Sequence, residues 1–166
     1  MSDPRRDTPA PDFYTELRDL ERRVAVCGRD TGRVMSQENV EAARRLYNAR
    51  NRGDVEAVVR ECHPQVEWHP HLSSLGGQPV RGHAGIRKYL RSLAEEWATF
   101  RHEPEDFFDV GDSVVAFLHT RAVGRTSGVE VDMPVAHLLT FESGRCIKSV
   151  SYIDRSQALE AAGLSE

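Results

Sequence analysis

The spacing of apolar residues changes once along this chain, near Phe100, and that change restricts the fold more than any single motif. Upstream, apolar side chains recur at the spacing of a helix; downstream they alternate, the repeat of a strand. Ser36 stands where an N-cap belongs, and Val40, Ala43 and Tyr47 follow at helical spacing. "NRGD" then supplies a stop at Gly53 and a cap at Asp54 for a second, shorter helix through Val55, Val58 and Val59, before Pro64 forbids continuation. After a short strand, "QVEWH", and a glycine-rich loop, "SSLGGQPVRG", a third helix, "HAGIRKYLRSLAEEW", aligns Ile86, Tyr89, Leu90, Leu93 and Trp97 in one core-facing stripe.

Past Phe100, the runs "DSVVAFLHTRAVG", "VEVDMPVAHLLTFE" and "CIKSVSYID" are rich in β-branched and aromatic residues and are separated by the turn clusters "RTSG" and "ESGR". They predict an antiparallel meander of long strands. "FRHEPEDFFDVG" predicts another strand, whose Pro104 demands an edge or a bulge. The chain closes with "DRSQALEAAGL", where Asp154 and Gln157 have capping-box spacing and Gly163 is a natural C-cap. Helices followed by a long sheet make an α+β domain, in which about three helices on the concave side of a curved antiparallel sheet form a cone with a pocket at its mouth.

A length of 166 residues suits one such domain. Residues 1–34 read as an N-terminal extension, flexible or a short helix lined by Phe13, Leu17, Leu20 and Val24, and residues 35–166 as the domain, with Met35 as an alternative natural start. A formal charge of -4 with interspersed signs gives no footprint for nucleic acid. Cys27, Cys62 and Cys146 form no CxxC pair, so neither a disulfide framework nor a cysteine zinc site is signalled, and a reducing cytoplasm is expected. No apolar run reaches the roughly 20 residues of a membrane span, and "MSDPRRDTPAPDF" lacks the apolar core of a signal peptide. Arg outnumbers Lys by 20 to 2, the codon bias of a GC-rich, bacterial genome.

The run "VEWHPHL" holds the first candidate site residues. His69 and His71 share a face if the strand continues through Pro70; His69 is then the pocket candidate, with His71 at the solvated strand end and Trp68 on the opposite face in core or interface. His137 alternates with Val135 and Leu139 in "PVAHLL" and is either a core imidazole or a pocket group able to transfer protons near neutrality. Arg121 shares strand parity with His119 and Phe117 and faces either the cone, where it would meet an anionic or carbonyl group, or a dimer interface. Asp132 is read as solvated, at the cavity mouth at most, and Tyr152 as able to reach the pocket from the last strand. His63, His83 and His102 lie at element boundaries and receive no chemistry. A metal site built from His69, His71 and either His119 or His137 remains a third reading, although no metal is assigned.

The order of "HPQVEWHP", "VRGHAGIRKYL" and "AHLLTFESGRCIKSVSYIDR" resembles the SnoaL-like branch of the nuclear transport factor 2-like superfamily, over about residues 36–164. The resemblance implies the cone fold, a homodimer, an apolar oxygen-bearing small molecule as ligand, and no cofactor. It also suggests roles. Where ketosteroid isomerases carry their aspartate base, this chain has His69; their second carboxylic acid falls on His137, and their tyrosine donor has a counterpart in Tyr47. The similarity to limonene epoxide hydrolases places Arg121 on the arginine of their triad, but Val123 and Ser151 stand in place of its acids. No carboxylate matches the proton-moving aspartate of the polyketide cyclases. The implied activity is proton transfer on a carbonyl-bearing metabolite, of isomerase, cyclase or hydro-lyase type. His69 would act as base, His137, Arg121 and Tyr152 would orient or polarise the carbonyl, and Tyr47 and His119 would bind ligand. The alternative, from a different class, is a non-catalytic binding or dimeric interaction module.

Overall fold

The structure, a computed structural model, describes residues 30–71 and 78–164, with side chains from residue 37 onward. The expected face of Phe13, Leu17, Leu20 and Val24, and residues 72–77 of the glycine-rich loop, lie outside the described residues. Helix α1 (Asp30–Asn51) begins before Ser36, which is an interior position and not a cap, and it runs across the expected 34/35 boundary. Its end follows the sequence signals. Gly53 takes a φ of 72°, open to glycine at little cost, and the Asp54 side chain accepts from the Ala57 N–H at 3.1 Å to cap α2 (Val55–Arg60). Helix α3 (Gly82–Glu96) buries Ile86, Tyr89 and Leu93, whereas Trp97 leaves the helical stripe with extended backbone and opens a strand.

The strands are β1 (Cys62–His69), β2 (Val80–Arg81), β3 (Trp97–Val110), β4 (Ser113–Gly124), β5 (Glu130–Glu142) and β6 (Arg145–Tyr152), followed by α4 (Arg155–Ala161). They form one curved, unclosed sheet in the order β2-β1-β6-β5-β4-β3. Strands β3 to β6 are the expected antiparallel meander. Pro104 sits on the edge strand β3, where the register with β4 shifts between Pro104 and Asp106. Ser143 and Gly144, with φ of 52° and 76°, make the two-residue turn joining β5 to β6. One pair departs from the antiparallel expectation: β1 runs parallel to β6, because α3 and the whole meander intervene before the chain returns to β1's side.

Two cores result. On the concave face, α1, α2 and α3 cover Val66, Trp68, Ala116, Leu118, Val135 and Leu139. On the other face, Phe108, Val115, Phe117 and Ala136 pack beneath Ala158 of α4, so the closing helix does not join the three on the concave side. No helix among the described residues is long and apolar enough to cross a membrane.

Ile86 anchors α3 and is 0% exposed. Ile86→Ala should lower the free energy of unfolding by about 2–5 kcal/mol in equilibrium urea denaturation, the usual cost of a buried large-to-small change. A loss below about 1 kcal/mol would show that α3 is not seated as described.

Candidate functional site

The last turns of α1 fix the site. Ala43, Leu46, Tyr47 and Arg50 recur at helical spacing, so the stripe that buries α1 also carries a phenol and a guanidinium inward. Asn51 locks this end of the helix to β3: its Nδ2 donates to the His102 carbonyl at 2.6 Å, and its Oδ1 accepts from the His102 N–H at 3.0 Å. Tyr47 and Arg50 thus face a cavity of about 30 Å3, partly open to solvent, with room for about two water molecules. Trp68 and Tyr89 form one wall, Phe100 and His102 another, and His137 with Ser149 and Ser151 the floor.

Inside, the Tyr47 hydroxyl and His137 Nδ1 are hydrogen-bonded at 2.8 Å. His102 Nδ1 meets Thr120 Oγ1 at 2.9 Å, and the His102 and His137 rings stand edge to face, 4.9 Å between centroids. His71 Nδ1 is hydrogen-bonded to Ser151 Oγ, while its Nε2 is buried with no partner among the described residues. Burial pushes the Tyr47 phenol far above its ordinary range. Burial, and then the positive charge of Arg50, hold His71 below the ordinary imidazole value and His102 and His137 well below it. All three imidazoles are therefore neutral near pH 7, and no Asp or Glu lines the cavity among the described residues.

Of the residues singled out in the sequence, Tyr47 and His137 meet here. His69 borders the cavity, but its Nε2 is paired with Glu67, which also faces Arg81 at 3.2 Å. Arg121 does not enter the cone. It is 57% exposed and lies 3.4 Å from Glu103 and 3.8 Å from Asp132. His119 is on the same outer face, with Nδ1 3.2 Å from Glu105 and Nε2 2.6 Å from Asp132, and Tyr152 packs on the outer core. The cause is strand parity: Val114, Ala116, Leu118 and Thr120 take the inner face of β4, leaving Phe117, His119 and Arg121 outside. Asp132 joins that outer cluster and not a cavity mouth. Trp68 is a core residue as read, yet it also walls the cavity.

Three cavity residues escaped the sequence reading. His71 was placed at a solvated strand end because Pro70 ends the strand; β1 does stop at His69, but the chain beyond it keeps His71 half-buried in the cavity beside His69. His102 continues the inward alternation of Phe100 along β3, a signal present in "TFRHEP". Arg50 lies three residues after Tyr47 on one helix face, a spacing that was also legible. Among the described residues no group of three or more His, Cys, Asp or Glu side chains is arranged to hold a metal ion.

Comparison with known proteins bears on this geometry. Residues 43–149 match the family model described as the SnoaL-like domain. An NTF2-like protein of unknown function from Burkholderia pseudomallei K96243 is 25% identical, with a TM-score of 0.64 over 74% of this chain and 95% of that one. TerC, co-crystallised with polyporic acid, is 27% identical, with a TM-score of 0.63 over 76% of this chain and 98% of that one. A protein from Jannaschia sp. CCS1, assigned only by name to the SnoaL-like polyketide cyclases, shares the fold at 20% identity and a TM-score of 0.63, over 79% of this chain and 94% of that one. The search of curated proteins gave no match.

The neutral imidazoles set a pH dependence. Above the ordinary value of 6.5 folded and unfolded chains are both unprotonated at these positions; below it the unfolded chain takes up protons that folded His102 and His137 refuse. Stability should hold from about pH 8 to 6.5 and then fall, by up to about 1.4 kcal/mol per pH unit for each such histidine. Urea titrations at successive pH values should show a shallower fall in His102→Gln and in His137→Gln. Slopes unchanged in both variants would mean that the imidazoles protonate in place.

Proposed function

The chain belongs to the SnoaL-like domain family, and from that membership we propose that it binds a small carbonyl-bearing molecule in the cone and moves a proton on it without a cofactor. What carries this reading is the convergence on one cavity of the Tyr47–His137 pair and of His71 Nε2, a buried nitrogen with no partner among the described residues. With its proton on Nδ1, His71 donates to Ser151 Oγ and turns the Nε2 lone pair to the cavity. With its proton on Nδ1, His137 donates to Tyr47 Oη, which frees the phenolic O–H to donate to a ligand oxygen.

The step then balances without a redox partner. His71 Nε2 takes a proton from the carbon next to the carbonyl, the C–H electron pair becomes the new C=C bond, and the carbonyl π pair moves to the oxygen held by Tyr47. In a β,γ-unsaturated carbonyl compound, the proton returns to the γ-carbon, the oxygen's electron pair re-forms the C=O and the C=C moves into conjugation with it, which completes an isomerisation. Attack of the enolate carbon on a second carbonyl carbon closes a ring, with the proton passing to that carbonyl oxygen. A volume of about 30 Å3 holds only the reacting end of a ligand, so the remainder would extend past the half-buried residues at the end of β1. Support for an organic ligand comes from TerC, 27% identical and co-crystallised with polyporic acid.

A second reading has its own observation. Tyr47 and His137 satisfy one another and the cavity wall holds no carboxylate among the described residues, as suits a pocket that binds without turnover. Deuterium uptake at the α-carbon of small methyl ketones, 2-oxo acids and β-dicarbonyl compounds, followed by NMR in D2O, separates the two. Wild-type protein should accelerate exchange on at least one compound, His71→Ala should lower that rate by about 100-fold or more, and His69→Gln should keep it within roughly threefold. No acceleration by wild-type protein, or full activity in His71→Ala, would sink the proton-transfer reading.

A further inference from the structure

Arg50 is the one arginine or lysine of the cavity wall among the described residues, and no carboxylate of that wall pairs with it. Its Cζ lies 5.5 Å from the Trp68 ring centroid, 5.8 Å from that of Tyr89 and 5.5 Å from that of Phe100. Its Nε is buried with no hydrogen-bond partner among the described residues. Nearby arginines are supplied differently: Arg45 has Glu61 at 2.9 Å and Arg87 has Glu56 at 2.8 Å. Aromatic faces attract the guanidinium charge, but they do not satisfy N–H groups that point outward in its own plane. A charged donor fork with a buried, unused N–H is costly unless something anionic completes it.

The surroundings restrict what that anion is. Apart from His69, which is paired with Glu67, the other polar side chains of the wall are His71, His102 and His137, held neutral by burial, the Tyr47 phenol and the hydroxyls of Ser149 and Ser151, so a single negative charge balances Arg50. A phosphate dianion would leave surplus charge among aromatic rings and needs donors on several sides. A carboxylate is flat, carries one charge and matches the planar N–H geometry of arginine. The narrow space beside three aromatic rings suits a flat group.

We propose that Arg50 anchors a carboxylate, so that the carbonyl-bearing molecule taken into the cone is a small organic acid. The proposal rests on the cavity of the preceding section but not on proton transfer within it.

The Nε–H resonance of Arg50, identified in a 15N spectrum by its loss in Arg50→Lys, reports the contact directly. Wild-type protein is titrated with formate, acetate and pyruvate, with formamide and acetamide as neutral counterparts, and with chloride as a control for simple ions. At least one carboxylate should shift the Arg50 resonance saturably, with the neutral counterparts about tenfold weaker or worse and chloride without a saturable effect. The Trp68 indole N–H gives a second reporter for the variants: carboxylate binding should weaken about tenfold or more in Arg50→Gln, and Arg50→Lys should fall between the two. The idea is overturned by no saturable shift with any carboxylate, formate included, by equal binding of the amides or chloride, or by Arg50→Gln binding as wild type does. Carboxylate binding without deuterium exchange would leave the anchor standing and remove the proton-transfer reading; exchange of neutral ketones with no carboxylate preference would do the reverse.

Discussion

The docking of the last turns of α1 against the concave sheet positions everything else in the cavity. It is held by two polar ties in an apolar interface: Tyr47 to His137 at 2.8 Å, and Asn51 to both backbone groups of His102. Both are cross-element bonds between groups that would each be costly if buried alone. Because β3 is an edge strand, its backbone at His102 has ladder partners on one side only, and Asn51 occupies the other. The same ties bring Arg50 over Trp68, Tyr89 and Phe100, residues drawn from β1, α3 and β3. The cavity therefore exists where it does because one helix end is pinned to an edge strand.

Much of the fold was legible because period, caps and turns agree along the chain. The change of period near Phe100, the stop at Gly53, the cap at Asp54 and the hairpin turn in "ESGR" each correspond to an element end. The candidate site was harder to read for a definite reason. Alternation along a strand separates two faces but does not say which one lines a cavity when both are covered, and here α4 covers the outer face of β4 much as the helices cover the inner one. Phe117 made the outer face of β4 look interior, and Arg121 and His119 were carried along with it. In β5 alternation with Val135 and Leu139 left His137 open between core and pocket, and the structure puts all three on the concave side, with His137 in the cavity lining. His71 was lost differently, since a proline marks a strand end but does not say whether the residue beyond it turns to solvent or to the cavity.

The charges segregate by face. Outside, Arg121, Glu103, Asp132, His119, Glu105 and Arg155 form a chain of ion pairs from β3 to α4. Inside, the described residues contribute imidazoles, hydroxyls and one guanidinium. This distribution answers what replaced the two carboxylates that the resemblance led one to seek. A buried carboxylate beside Arg50 would form an internal salt bridge and occupy the donors that now face the cavity. Neutral histidines leave those donors unused. Their burial depresses their basicity, which keeps them unprotonated at neutral pH but also makes them weak bases.

That weakness and the charge of Arg50 are linked. The positive charge of the guanidinium lowers the basicity of His71, His102 and His137, second only to burial. A carboxylate seated on Arg50 would cancel most of that field, and the imidazoles would move part of the way back toward their ordinary range, burial still acting on them. His71 would then be a better base in the presence of an acidic ligand than in its absence, and by reciprocity a protonated imidazole would hold the anion more tightly. In a site with no carboxylate of its own among the described residues, the ligand's carboxylate would supply the negative charge that makes proton abstraction by histidine favourable. The same charge deficit that leaves Arg50 without a partner would thus join recognition of an organic acid to the chemistry performed on it.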